Sequence, residues 1–134
     1  MFRRFSFLLL LVVPQIGGCV AISTIEDKPQ SEGATRTFQS NAMQTAASAK
    51  ESISDAGFTF EQAKNREGGV VIIASHKPTL HSNGAIVRVI VKPYKNESMV
   101  RIATFNDWNS DSPCTHDYSE QFFTLIGQRL GEYP

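Results

Sequence analysis

The feature that most constrains the fold is the stretch of residues 58–105, in which alternating or continuous apolar segments are separated by turn-forming residues. A period of two is typical of β-strands, whose side chains point alternately to the two faces of a sheet. Turns at 67–69 and 95–97 and a loop at 77–84 divide the stretch into four strands. Because two of these connections are short, we expect neighbouring strands to pair antiparallel.

The third and fourth of these strands indicate that the two sheet faces differ. Val87, Val89 and Val91 share one face of the third strand. The other face carries charged side chains, namely Arg88, Lys92 and Arg101. We therefore expect an antiparallel sheet with one partly wet face and one face covered by helices.

Residues 42–56 predict a helix. Asn41 is followed three residues later by Gln44, which is the spacing of a capping box, and Gly57 can adopt the left-handed conformation that ends helices. The predicted buried face is shallow and rich in alanine, and it consists of Met43, Ala46, Ala47, Ala49 and Ile53.

A second helix is predicted near the C-terminus. Asp117 and Glu120 repeat the capping-box spacing, and Gly131 marks the end of the helix. Its stripe of helical spacing consists of Tyr118, Phe122, Leu125, Ile126, Arg129 and Leu130.

A short strand is also predicted at residues 34–38, where Thr and Phe are frequent. The element order is then β-α-β-β-β-β-α. This order predicts a two-layer α+β domain over residues 34–134, with an antiparallel sheet of four to five strands and two helices packed on one face.

The N-terminus has the layout of an export signal. Arg3 and Arg4 precede an apolar run from Phe5 to Val13. A membrane-spanning helix is the alternative, but it needs about 20 apolar residues, and Pro14 interrupts this run. We expect residues 1–18 to be a signal peptide that is removed.

The end of this signal, Ile16-Gly17-Gly18-Cys19, resembles the lipobox of bacterial lipoproteins. The resemblance implies that Cys19 carries fatty acyl chains, such as palmitate, which anchor the protein in a bilayer without crossing it. Val20 then implies sorting to the outer membrane, facing the periplasm. The alternative is an ordinary secretory signal with Cys19 as a small residue near the cut.

Residues 19–33 follow as a predicted flexible tether, because they are polar and turn-rich and have no apolar periodicity. Removal of residues 1–18 leaves 116 residues, enough for one compact domain. The removed part contains two arginines, so 11 basic residues remain beside 13 acidic ones, a formal charge of −2. This balance argues against nucleic acid or an anionic membrane surface as the main partner.

Reactive side chains are densest at residues 107–117. Cys114 and His116 are separated by one residue, so an extended segment would point both the same way, as a nucleophile pair or as two zinc ligands. His76 and His81, on another loop, could converge with them. The alternatives are a loop rich in capping residues, a buried cysteine, or an intermolecular disulfide at Cys114.

The sequence has no nucleotide-binding motif and no complete set of catalytic or metal-binding residues. The whole chain resembles the small α+β lipoproteins of the Gram-negative envelope, some of which are assembly factors. The resemblance implies a non-enzymatic adaptor, assembly or binding subunit without a cofactor, whose exposed sheet face or Trp108 contacts another envelope protein. The alternatives are a metal-binding or thiol-dependent hydrolase that uses Cys114 and His116, and a protein that binds a small ligand between helices and sheet.

Overall fold

The computed structural model describes residues 25–26, 28–77, 84–106 and 116–133. Seven elements follow one another in the predicted order. They are β1 (Ala34–Phe38), α1 (Ala42–Asp55), β2 (Thr59–Arg66), β3 (Gly69–His76), β4 (Ala85–Tyr94), β5 (Glu97–Asn106) and α2 (Ser119–Arg129).

The strands form one antiparallel sheet in the order β1-β5-β4-β3-β2. Consecutive strands β2 to β5 are neighbours, and β1 returns to the far edge, where Ala34 lies opposite Ile102. Gly33 makes this return feasible because its φ is +108° and a Cβ there would collide with the Ile102 carbonyl. The predicted α+β architecture is confirmed, and β1 and β2 are the edge strands.

Both helices pack on the face of the sheet that carries the valines of β4. Helix α1 crosses this face diagonally: it begins beside Pro93 at the end of β4 and ends just before Phe58, whose N–H donates to the Ile53 carbonyl at 3.0 Å. Helix α2 lies over β5 and β1. The diagonal course of α1 leaves one corner of the sheet, at the β2–β3 turn, without a helix above it.

The start of α1 is as predicted, and its buried face is as predicted only in part. The Asn41 side chain accepts a hydrogen bond from the Gln44 N–H at 2.9 Å, whereas Met43 and Ala47 are exposed rather than buried. Ala46, Ala49 and Ile53 are buried as predicted, and the polar residues Thr45, Ser48 and Ser52 are buried beside them. Thr45 forms a 2.7 Å hydrogen bond with Ser98 on β5, and Ser52 donates to the Ser48 carbonyl at 2.7 Å, which explains why these hydroxyl groups tolerate burial.

The predicted capping box at α2 is wrong. Tyr118 occupies the N-cap position without a side-chain hydrogen bond, and Glu120 pairs with Arg36 on β1 at 3.0 Å. Phe123, absent from the predicted stripe, is buried beneath the Arg36 guanidinium, which lies 4.7 Å from the ring centre. A cation over an aromatic face is a favourable contact. This contact explains why Phe123 is buried, although the predicted stripe left it out.

The opposite sheet face is covered at its centre, contrary to the partly wet face that we expected. Residues 25–31, here called the strap (Asp27 is not described), cross this face before β1. Ile25 is 0% exposed and Arg88 only 1% exposed. The predicted flexible tether comprises residues 19–33. It is too long at its C-terminal end, because its described residues, from Ile25 onward, pack on the sheet. The apolar cluster beneath comprises Ile25, Val71, Ile73, Ile86, Ile90, Ala103 and Phe105.

Candidate functional site

Of the residues singled out from the sequence, the structure describes His76 and His116. Cys19, His81, Trp108 and Cys114 lie outside the described residues. The candidate site is therefore defined by the elements that flank these residues in the sequence.

One end of the sheet holds both long connections of the chain. Ala85, the first residue of β4, lies opposite His76 on β3 and opposite Asn106 on β5. The connection over residues 77–84 and the connection over residues 107–118 therefore start from three adjacent strands at the same end. We call this end, marked by His76, Ala85 and Asn106, the loop end.

Aromatic side chains join the two histidines at the loop end. The ring centre of His116 lies 4.4 Å from that of Tyr118, Tyr118 lies 5.0 Å from Phe58, and Phe58 lies 5.4 Å from His76. The Nδ1 atom of His76 is buried and has no hydrogen-bond partner among the described residues. The structure thus brings two of the candidate residues to the borders of one aromatic cluster.

Asp117, also at the loop end, acts as a local brace between β5 and α2. Its Oδ1 atom accepts hydrogen bonds from the Ser119 hydroxyl at 2.6 Å and from the Ser119 N–H at 2.9 Å. These two hydrogen bonds hold the pKa of Asp117 below its ordinary value, and Thr104 and His116 contribute in the same direction. A carboxylate held ionised in this way serves the fold of the turn rather than proton transfer.

Two histidines alone do not make a metal centre. Within the described ranges, no group of three or more His, Cys, Asp or Glu side chains could hold a metal ion. Cys114 is two residues from His116, so their Cα atoms are at most about 7 Å apart. Any metal or thiol chemistry at the loop end therefore depends on Cys114 together with these histidines.

The uncovered corner of the helix face forms an open groove of about 720 Å³. Its walls are α1 and the β2–β3 turn, and its floor is the end of β4. Met43 projects beside it and is 84% exposed. The lining consists of Ala42, Met43, Ala46, Ala47, Lys50, residues 65–70, Val91 and Pro93. This size lies within the range of small-ligand sites, but the groove is a surface trough and not a cavity between helices and sheet.

The strap is held by hydrogen bonds from one buried cation. Arg88 Nη1 donates to the carbonyl oxygens of Ile25 at 2.9 Å and Lys28 at 2.8 Å, and Nη2 donates to that of Pro29 at 2.8 Å. Burial lowers the pKa of Arg88, an effect that Glu32 opposes, yet a guanidinium stays charged in proteins. Arg88 therefore fastens the strap through the backbone, with little dependence on the strap's own side chains.

The first residues of the strap are held at the sheet edge. The Glu26 carboxylate accepts from Gln62 Nε2 at 2.9 Å and from Lys64 Nζ at 3.2 Å, and it lies 3.2 Å from Arg66 Nε. All three partners are on β2. Sequence reasoning missed Glu26, since a polar segment before the first strand gives no periodic signal, and it placed Arg88 on a partly wet face rather than a buried one.

Comparisons with known proteins add no family: no protein-family model matches the chain, and neither does any curated protein. In the part of the chain that the structure describes, no helix has the length and apolar character needed to cross a membrane.

Proposed function

We propose that the protein is an envelope lipoprotein, held in the outer membrane by acylated Cys19 and facing the periplasm, whose domain is a non-enzymatic adaptor, assembly or binding subunit. The observation that carries the binding role is the loop end, where both long connections leave adjacent strands of a rigid sheet. Binding residues concentrate on loops that such a scaffold positions.

The strap changes which surface is available to a partner. The sheet face that the sequence offered as an interface is covered over β4, where Arg88 and Ile90 are buried. The remaining sequence candidate is Trp108, which follows the last residue of β5 by two positions in the sequence. Tryptophan is a frequent anchor at protein interfaces. We therefore assign partner contact to the connection that contains Trp108.

The anchor is tested by mass and by fractionation. We expect the intact mass of the mature protein to equal the chain from Cys19 onward plus its acyl chains. We also expect Cys19→Ser to move the protein from the membrane fraction to the soluble fraction, because several acyl chains anchor a protein almost irreversibly. An unacylated mass, or a Cys19→Ser protein that stays with the membrane, would contradict the proposal.

The partner surface is tested by crosslinking in cells, followed by identification of the bound proteins. We expect Trp108→Ala to reduce the recovery of a specific envelope protein at least about fivefold, the cost of roughly 1 kcal/mol at an interface anchor. Tyr94→Ala is the matched control, since Tyr94 is an exposed aromatic residue at the opposite end of the sheet. Equal recovery from both variants would remove Trp108 from the interface.

A second candidate is a metal-binding or thiol-dependent hydrolase at the loop end. The observation in its favour is the aromatic cluster that has His76 and His116 on its borders. Metal analysis of the purified protein separates the two proposals. One zinc per chain, lost in both Cys114→Ser and His116→Ala but retained in the matched variant His81→Ala, would favour this candidate, whereas the adaptor proposal expects no bound zinc.

A further inference from the structure

We propose that the β2 edge of the domain, with the groove beside it, is the surface that rests on the bilayer. The inference builds on the proposed acylation of Cys19. Three observations carry it: the length of chain between Cys19 and the strap, the position at which the strap begins, and the side chains exposed there.

The linker between anchor and domain is short. Ile25 is buried against the sheet, so only residues 20–24 separate the acylated residue from the folded part. Six residue steps span at most about 20 Å. A domain of this size has a radius of gyration of about 13 Å and is therefore wider than the linker is long. The bilayer must lie close to the part of the domain from which the linker departs.

The linker joins the domain at Ile25, on the sheet face opposite the helices, and the next residue, Glu26, reaches the β2 edge with its carboxylate. Glu26 is held by Gln62, Lys64 and Arg66, all on β2. From there the strap crosses β4 at Arg88 and reaches β5, where Arg101 donates to the Ser31 carbonyl at 2.7 Å. The other sheet edge, β1, lies four strand spacings away, or about 19 Å. The linker can therefore bring the β2 edge to the bilayer more easily than the β1 edge.

The β2 edge exposes apolar side chains that suit a membrane interface. Among the described residues, the large exposed hydrophobic side chains are Met43, Phe60 and Tyr94. Phe60 lies on β2 and is 48% exposed, and Met43 lines the groove, whereas Tyr94 lies at the end of β4 and is not part of this edge. Side chains of this type enter the boundary between headgroups and acyl chains.

The net charge around the groove is small, so electrostatic attraction is not the main term. Lys50 and Arg66 line the groove together with Glu67, a net charge of +1, and Lys64 and Arg66 are both paired with Glu26. Basic side chains at such a rim contact lipid phosphates, each contributing about 1 kcal/mol. Apolar contact and the short linker therefore determine which edge of the domain faces the bilayer.

Contact with the bilayer is tested on the full acylated protein in vesicles of phosphatidylethanolamine and phosphatidylglycerol. A polarity-sensitive fluorophore is attached to Asn65→Cys, in the groove, or to Gln121→Cys, an exposed position on α2, in a Cys114→Ser background. A lipid-borne quencher should reduce the emission at position 65 at least about threefold more than at position 121. Equal or reversed quenching would overturn the inference. This result is also the one expected if a second copy of the chain, rather than the bilayer, covers the groove.

A charge placed in the groove provides the second test. Because Met43 is 84% exposed, Met43→Glu should leave the fold intact while opposing apolar contact, and quenching at position 65 should fall at least about twofold. Gln44→Glu is the control, since this neighbouring exposed side chain does not line the groove. Unchanged quenching in Met43→Glu would exclude the groove from the contact surface.

The mass of the same sample separates the two proposals. An acylated protein with equal quenching at both positions refutes the bilayer contact and leaves the lipoprotein assignment standing. A protein without acyl chains refutes both.

Discussion

At the scale of single residues, Arg88 has the most unusual environment in the described part of the chain. A guanidinium that is 1% exposed usually has a carboxylate partner, but here Nη1 and Nη2 donate to three strap carbonyls, and the buried Nε has no hydrogen-bond partner among the described residues. The ring of Phe105, 5.4 Å from the guanidinium carbon, adds a cation–π contact. Arg88 thus compensates its burial with backbone acceptors, and the strap and the sheet depend on each other.

Replacement of Arg88 by an apolar side chain should be costly. Arg88→Met leaves three carbonyl groups without their donor, so we expect the free energy of unfolding to fall by roughly 2–4 kcal/mol. Arg101→Met, which removes one hydrogen bond from a half-buried position, should cost less than about 1 kcal/mol. Unfolding by guanidinium chloride, with each variant made in the Cys19→Ser protein, measures both losses of unfolding free energy. Equal losses in the two variants would show that the strap does not depend on Arg88.

At the scale of elements, the sequence predicted the strands and the ends of α1 but only part of its buried face. Strand alternation and the Asn41 cap are strong local signals because backbone geometry dictates them. The face of α1 depends on how closely it approaches the sheet. Alanines occur on several sides of the helix, whereas Thr45 and Ser52 turn inward because neighbouring oxygen atoms satisfy their hydroxyl groups. Ser98, the partner of Thr45, is a tertiary contact on β5, and such contacts have no sequence periodicity.

Helix α2 and the C-terminal turn pack through a glycine that the predicted stripe omitted. A Cβ on Gly127 would collide with the ring of Tyr133, which lies 5.9 Å from the ring of Phe38 and accepts a hydrogen bond from Arg36 Nη1 at 3.2 Å. We expect Gly127→Ala to displace Tyr133 and to lower the free energy of unfolding by about 1–3 kcal/mol.

A double-mutant cycle identifies the cause of this loss. In a Tyr133→Ala background the collision is absent, and alanine favours a helix over glycine by up to about 1 kcal/mol. Gly127→Ala should then be neutral or stabilising when thermal unfolding is compared with that of Tyr133→Ala alone. A loss of the same size in both backgrounds would place the strain elsewhere.

At the scale of the whole molecule, the strap, the groove and the loop end occupy different parts of the surface, and we propose a different role for each. The groove lies beside the β2–β3 turn, and the loop end lies at the other ends of the same strands. An anchor at the β2 edge and a partner at the loop end can therefore be engaged together. Sequence reasoning located Trp108, Cys114 and His116 on one long connection, but it missed the groove, because the groove results from the angle at which α1 crosses the sheet.

The hold of the strap on the β2 edge should depend on pH. The hydrogen bond from Gln62 lowers the pKa of Glu26, with Lys64 and Arg66 acting in the same direction against the effect of burial. A folded-state pKa below the unfolded value means that unfolding takes up a proton, so this stabilisation is complete above about pH 4.3, the ordinary glutamate pKa. The stabilisation by Glu26 is lost as the pH falls through the lower folded-state pKa.

The measurement is the unfolding free energy of the Cys19→Ser protein, with and without Glu26→Gln, between pH 7 and pH 3. The parent should be the more stable protein at pH 7, and the difference should shrink as the pH falls, because a protonated Glu26 loses its charge-assisted contacts with Lys64 and Arg66. Glu97→Gln, at the exposed β4–β5 turn, should instead follow the parent across the range. Parallel profiles for the parent and Glu26→Gln would mean that the Glu26 charge does not stabilise the strap. Arg88 alone would then fix the position from which the linker departs.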